Sequence, residues 1–188
     1  IRGLVGSEMC IRDRSKRKDI NVVAINDLAP IETNAFLLSN DTVHGPLKEK
    51  VTVKNGKMII GKKSINVLSE RDPKKLPWKK MKIDVALECT GFFTSKETAS
   101  MHITAGAKKV LVSAPCSNAD KTIVFGVNDD EISKKDTVIS NASCTTNCLA
   151  PVAKVIDEKF GIVHGYMTTI HSYTCLLYTS PSPRDRVL

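Results

Sequence analysis

Cys144 lies in the run Ser143-Cys144-Thr145-Thr146-Asn147-Cys148, directly after an apolar, strand-like stretch and directly before a helical pattern. That order puts the thiol at a helix N-terminus, where unpaired N–H groups and the helix dipole favour a thiolate. A thiolate is a nucleophile and a neutral thiol is a poor one. His171 stands 27 residues further on, at the end of the next apolar run. A helix and a return strand between them would bring the imidazole beside the sulfur. On spacing alone, a small buried cysteine and an ordinary strand-end histidine is the more economical reading. Cys144 and Cys148 also stand at i, i+4. Zinc would need further ligands that no second CxxC or HxxxH supplies, so no metal is expected.

The elements that must position these residues alternate along the chain. Ile20–Asn26, Ile83–Cys89, Lys109–Ser113 and Thr137–Ser140 are short apolar runs of the kind buried in parallel sheets. Glu32–Leu38 and Ser95–Ala105 can carry apolar helix faces, and Thr145–Phe160 predicts a helix ending at Gly161. Gly161–Tyr173 reads as a further strand. Val51–Leu68 alternates and is broken at Asn55-Gly56, a hairpin signal. Strands separated by helices imply a wound α/β sheet, made mixed by the hairpin.

The 188 residues suffice for one domain and part of another. No apolar run approaches a membrane span, and no secretory signal is expected. The ends stand apart. Val5–Asp13 and Cys175–Pro183 can be written as antisense copies of each other in the genetic code. Folding gives no reason for that, whereas a DNA adapter on both ends of a fragment does. Residues 1–14 and 175–188 are therefore expected to be non-native, tag-like and packed on nothing specific. Each end carries +1 of the net +8, leaving +6 on the interior. Four interior cysteines, Cys89, Cys116, Cys144 and Cys148, without a secretory signal read as reduced thiols of a cytoplasmic protein. The lysine pairs are scattered and lack interleaved aromatics, so a solvated surface is expected rather than a nucleic-acid groove.

The stretch Ser140-Asn141-Ala142-Ser143-Cys144-Thr145-Thr146-Asn147-Cys148-Leu149-Ala150-Pro151 resembles the active-site signature of phosphorylating glyceraldehyde-3-phosphate dehydrogenases. Collinear motifs agree: Ile25-Asn26-Asp27, Thr42-Val43-His44-Gly45, Glu70-Arg71-Asp72-Pro73, Glu88-Cys89-Thr90-Gly91, Ser113-Ala114-Pro115 and Met167-Thr168-Thr169-Ile170-His171. The resemblance implies an incomplete Rossmann-type NAD-binding domain over 15–144 and the start of an α+β catalytic domain over 145–174. The family's first strand and glycine-rich loop have no counterpart here. It implies Cys144 as nucleophile and His171 as base. Ser143, Thr145 and Thr174 would contact substrate or inorganic phosphate. Asn26, Asp27, Arg71, Thr90, Gly91, Phe93 and Ser113 would line NAD, with Asp27 on the ribose hydroxyls.

The function implied is oxidation of glyceraldehyde 3-phosphate, with NAD and phosphate, to 1,3-bisphosphoglycerate in glycolysis. The parent would be a cytoplasmic homotetramer, binding no membrane. This chain alone, read as an internal fragment, is expected to be inactive. The alternatives are an erythrose-4-phosphate or NADP-preferring relative, and a non-catalytic binding module.

Overall fold

The computed structural model describes residues 10–12, 14, 17–41 and 45–171. Its strands form two four-stranded sheets. The first contains β1 (Ala24–Asn26), β2 (Val51–Lys54), β3 (Lys57–Ile60) and β4 (Lys63–Leu68), ordered β1-β4-β3-β2. β1 runs parallel to β4, and the β2-β3-β4 meander is antiparallel. Asn55 and Gly56 turn the hairpin with φ of 52° and 67°, the left-handed pair that a two-residue connection needs. Helix α1 (Ile31–Ser39) buries Ala35 and Leu38 against Met58, Ile60 and Ile65.

The second sheet is wholly parallel. It contains β5 (Val85–Glu88), β6 (Lys109–Val112), β7 (Lys121–Thr122) and β8 (Val138–Ser140), ordered β5-β6-β8-β7. Val110, Val112 and Val138 are fully buried, as central parallel strands require. Short helices α2 (Trp78–Met81), α3 (Lys96–Ala99) and α4 (Met101–Thr104) connect and cover them. Trp78 and Ala99 complete this core, and Ala24 and Leu68 of the first sheet pack against it. Helix α5 (Cys144–Phe160) follows β8 and ends at Gly161, whose φ of 73° suits glycine. Among the described residues, no helix is long and apolar enough to cross a membrane.

The mixed α/β architecture agrees with expectation. Among the described residues β1 has a ladder partner only in β4, and β5 only in β6. Among the described residues no strand lies between them. Four expectations are corrected. The Ile20–Asn26 strand shortens to Ala24–Asn26, the residues whose register pairs with β4. The expected Ser95–Ala105 helix breaks at Ser100, whose hydroxyl donates to the Lys96 carbonyl at 2.6 Å and competes with the helical ladder.

Residues 161–171 form no strand and are exposed throughout, because a strand needs a neighbour to satisfy its backbone. The first fourteen residues are not without contacts either. Ile11 joins the first core, and the Arg12 guanidinium donates to the Leu38 and Gly45 carbonyls at 3.2 and 2.7 Å. Carbonyls in the last turn of a helix lack intrahelical donors and attract a cation, which accounts for the first of these contacts.

Candidate active site

The helix that presents Cys144 is capped by Ser143, whose Oγ accepts the Thr146 N–H at 3.0 Å. The same oxygen meets the Thr146 hydroxyl at 2.7 Å. Ser143 thus caps the helix. The approach to the cap is tight. Asn141 donates its N–H to the Val112 carbonyl at 2.9 Å, tying the end of β8 to the end of β6. Ala142 then takes φ of 55° while buried, a left-handed conformation that costs a residue with a Cβ about 1 kcal/mol. Ser140, fully buried, braces it by accepting the Ala142 N–H at 3.1 Å and donating to the Ala114 carbonyl at 2.8 Å. Asn147 closes the turn by donating to the Asn141 and Ser143 carbonyls at 2.7 and 2.9 Å.

Cys144 is therefore exposed in the first turn of a 17-residue helix. Its Sγ lies 3.0 Å from His171 Nε2. The contact with His171 is the largest influence lowering the Cys144 thiol from its ordinary value, partial burial opposes it, and the Thr145 N–H lowers it further. The strand expected to deliver His171 is absent, yet the extended segment brings the imidazole to the sulfur. Beside this pair a depression of about 260 Å³ is lined by Thr145, Cys148, Leu149, Val152 and Met167 to Thr169. Thr174 lies outside the described residues, as do Thr42, Val43 and His44.

The other predicted residues gather at the C-terminal ends of strands, where wound α/β sheets bind ligands. Asn26 locks the ends of β1 and β4 together. Its side chain donates to the Glu70 carbonyl and accepts the Glu70 N–H, both at 2.9 Å. Asp27 accepts the Ala29 N–H on Oδ1 at 2.8 Å. Its Oδ2 takes no hydrogen bond among the described residues. It lines a cleft of about 340 Å³ with Leu28 to Ile31, Gly56 and Val67 to Ser69. A carboxylate beside apolar walls fits a flat ring joined to a sugar with vicinal hydroxyls. Arg71 is exposed beyond β4. Thr90, Gly91 and Phe93 form the turn after β5, with Gly91 at φ of 75°. Ser113 follows β6, its N–H on the Glu88 carbonyl at 2.9 Å.

The structure thus joins Cys144 to His171 and places Thr90, Gly91, Phe93, Ser113 and Cys144 after parallel strands of one sheet. Sequence reasoning did not single out Glu88, His102 or Trp78, which are buried behind the Thr90 turn. The available signal was the period-2 pattern of β5, which puts Glu88 on the inward face with Ala86.

Comparison with known proteins agrees with this geometry. A family model described as "Glyceraldehyde 3-phosphate dehydrogenase, NAD binding domain" matches residues 3–96, and one for the C-terminal domain matches residues 143–182. Both stretches reach into the end segments. The chain is 54% identical over 160 residues to a glyceraldehyde-3-phosphate dehydrogenase from Xanthobacter flavus, covering 85% of this chain and 48% of that protein. Against the enzyme of Cereibacter sphaeroides it is 56% identical over 160 residues, covering 85% and 47%. Against that of Geobacillus stearothermophilus it is 52% identical over 173 residues, covering 92% and 51%. The chain spans about half the length of the curated relatives it matches.

Proposed function

Because the chain belongs to the glyceraldehyde-3-phosphate dehydrogenase family, we propose that it carries the nucleophile and part of the dinucleotide site of an enzyme that oxidises glyceraldehyde 3-phosphate. The observation that carries this is the 3.0 Å contact of Cys144 Sγ with His171 Nε2 at a helix N-terminus. The thiolate adds to the aldehyde carbon, forming a C–S bond. The aldehyde oxygen takes a proton from His171, leaving a thiohemiacetal. His171 then accepts that hydroxyl proton, which directs electron density to the carbon and helps to expel hydride. Held by the residues named below, NAD would supply the hydride acceptor, and the carbon would then be that of a thioester on Cys144.

Inorganic phosphate attacks the thioester carbonyl. The C–S bond breaks, the thiolate is regenerated, and 1,3-bisphosphoglycerate leaves. Thr145, with the first-turn N–H groups, suits the phosphate, as Ser143 and Thr174 would in the family's pattern. Asp27 and the cleft beside it would hold the adenosine end of NAD, with the Asp27 charge opposing an added 2′-phosphate. Asn26, Arg71, Thr90, Gly91, Phe93 and Ser113 would line the remainder. The same reading places the enzyme in glycolysis, in the cytoplasm, as a homotetramer.

The nucleophile is tested without NAD by an activated ester. Incubation with p-nitrophenyl acetate is expected to add one acetyl group to Cys144, and inorganic phosphate to hasten its release as acetyl phosphate. Acetylation at another residue, or at an unchanged rate in Cys144→Ser, contradicts the proposal.

A further inference from the structure

The turn that carries Thr90, Gly91 and Phe93 is held from behind by three buried side chains that the chemistry at Cys144 does not use. Glu88 at the end of β5 is 3% exposed, His102 of α4 is 6% exposed, and Trp78 of α2 is 6% exposed. The Trp78 indole N–H donates to His102 Nδ1 at 3.0 Å. An indole nitrogen only donates, so Nδ1 is an acceptor and the neutral ring's proton sits on Nε2. Nε2–H then donates to Glu88 Oε2 at 2.9 Å. The other carboxylate oxygen accepts the Thr90 N–H at 2.7 Å and the Thr90 hydroxyl. Thr90 Oγ1 in turn accepts the Phe92 N–H at 3.1 Å. Phe93 meets the imidazole edge-on, with centroids 6.5 Å apart.

We propose that Trp78, His102 and Glu88 form a hydrogen-bond chain of fixed direction that positions the Thr90–Phe93 turn for the dinucleotide. This rests on the assignment of that turn to the NAD site. A carboxylate at this depth is tolerable only with its acceptor sites filled, so the turn and the carboxylate hold each other in place. The direction matters because both ends of the imidazole are committed. The indole fixes one nitrogen as acceptor, and the carboxylate needs the other as donor.

The test uses that commitment. In Glu88→Gln the amide can still accept the Thr90 N–H, but its NH2 then faces His102 Nε2–H. The ring cannot move its proton to Nδ1 without opposing the Trp78 N–H. One donor–donor clash remains in either tautomer. Trp78→Phe removes the indole donor and frees the ring to switch, so the double variant should recover what Glu88→Gln loses. Amide hydrogen exchange at Thr90 and Phe92 is read by NMR on the unchanged chain, both single variants and the double variant. Exchange should speed up by about tenfold in Glu88→Gln, in line with one lost charge-assisted bond, and return most of the way in the double variant.

Imidazole nitrogen shifts should report Nε2–H in the unchanged chain and Nδ1–H in the double variant. Should Glu88→Gln fail to fold, recovery of folding in the double variant reads the same coupling. Unchanged Thr90 exchange in Glu88→Gln, or a double variant no better than that single one, overturns the hydrogen-bond chain. NAD titrated onto the same samples is expected to bind about tenfold more weakly to Glu88→Gln. If the amides loosen and NAD affinity does not change, the positioning role is overturned. If NAD perturbs no amide from Thr90 to Phe93 in the unchanged chain, it is the cofactor assignment of the turn that fails.

Discussion

Replacing His171 by Gln should slow alkylation of Cys144 without unfolding the chain, since both side chains are exposed. An ordinary thiol near pKa 8.5 is only about 3% thiolate at pH 7, so complete ionisation can raise the reactive fraction by about thirtyfold at most. A more acidic thiolate is also a weaker nucleophile, with a Brønsted slope of about 0.4–0.5, and the two effects together leave a gain of at most about three- to fourfold in rate, reached when the thiol is about half ionised. His171 is the largest influence lowering the Cys144 thiol, while the Thr145 N–H and the helix terminus remain in the variant. The expected loss on His171→Gln is therefore about two- to fourfold at pH 7.

The sign follows from the direction of the shift. A lowered thiol stays ionised to lower pH, so the pH at which labelling reaches half its plateau should rise in the variant. Iodoacetamide labelling with peptide mapping across pH 5–9 provides the assay. Burial pushes the Cys116 thiol up, and contact with Cys10 together with burial pushes Cys89 up, so both should label later than Cys144. Cys148 lies one turn deeper in the helix, where the dipole has weakened. An unchanged rate and pH profile in His171→Gln, or faster labelling of any of those three thiols, would refute the reasoning.

Gly106→Ala should destabilise the chain by about 3 kcal/mol or prevent folding, because a Cβ there would fall 2.4 Å from Lys79 Cβ and 2.7 Å from its backbone, at φ of 107°; denaturant melts check this. Asp120 is held well below the usual carboxylate range, first by Lys96 and then by the Val138 and Thr137 N–H groups. Its contribution is present above the unfolded value of about 3.9 and is lost as pH falls below it. Asp120→Asn should therefore lower the melting temperature most at neutral pH and progressively less as pH falls below about 4. The 188-residue chain alone should form no NADH from glyceraldehyde 3-phosphate, NAD and phosphate, since among the described residues no strand joins β1 to β5 to set Asp27 and the Thr90 turn at a fixed separation. Spectrophotometric detection of aldehyde-dependent NADH would contradict this.

What could be read from the sequence was whatever rested on local pattern. Asn55-Gly56 announced its hairpin because two left-handed residues in succession are rare elsewhere. Ser143 and the apolar spacing to Phe160 announced α5 and the position of Cys144 at its start. Residues 161–171 misled because an apolar run records an intention to be covered, and the covering partner is not among the described residues. Ile11 and Arg12 misled because their codon-level peculiarity says nothing of whether a methyl group or a guanidinium can find a core or a carbonyl. The Trp78-His102-Glu88 chain was hidden because its members are 10 to 24 residues apart and meet only when α2 and α4 pack over β5.

The most direct measurement is carbon NMR of glyceraldehyde 3-phosphate labelled at the aldehyde carbon and mixed with the chain. Nucleophilic attack by Cys144 predicts a new resonance from a tetrahedral carbon bonded to sulfur and oxygen. It should be absent in Cys144→Ser and weaker at pH 7 in His171→Gln. If the aldehyde and its hydrate remain the only signals at excess protein, or if the new resonance persists in Cys144→Ser, Cys144 is not the nucleophile.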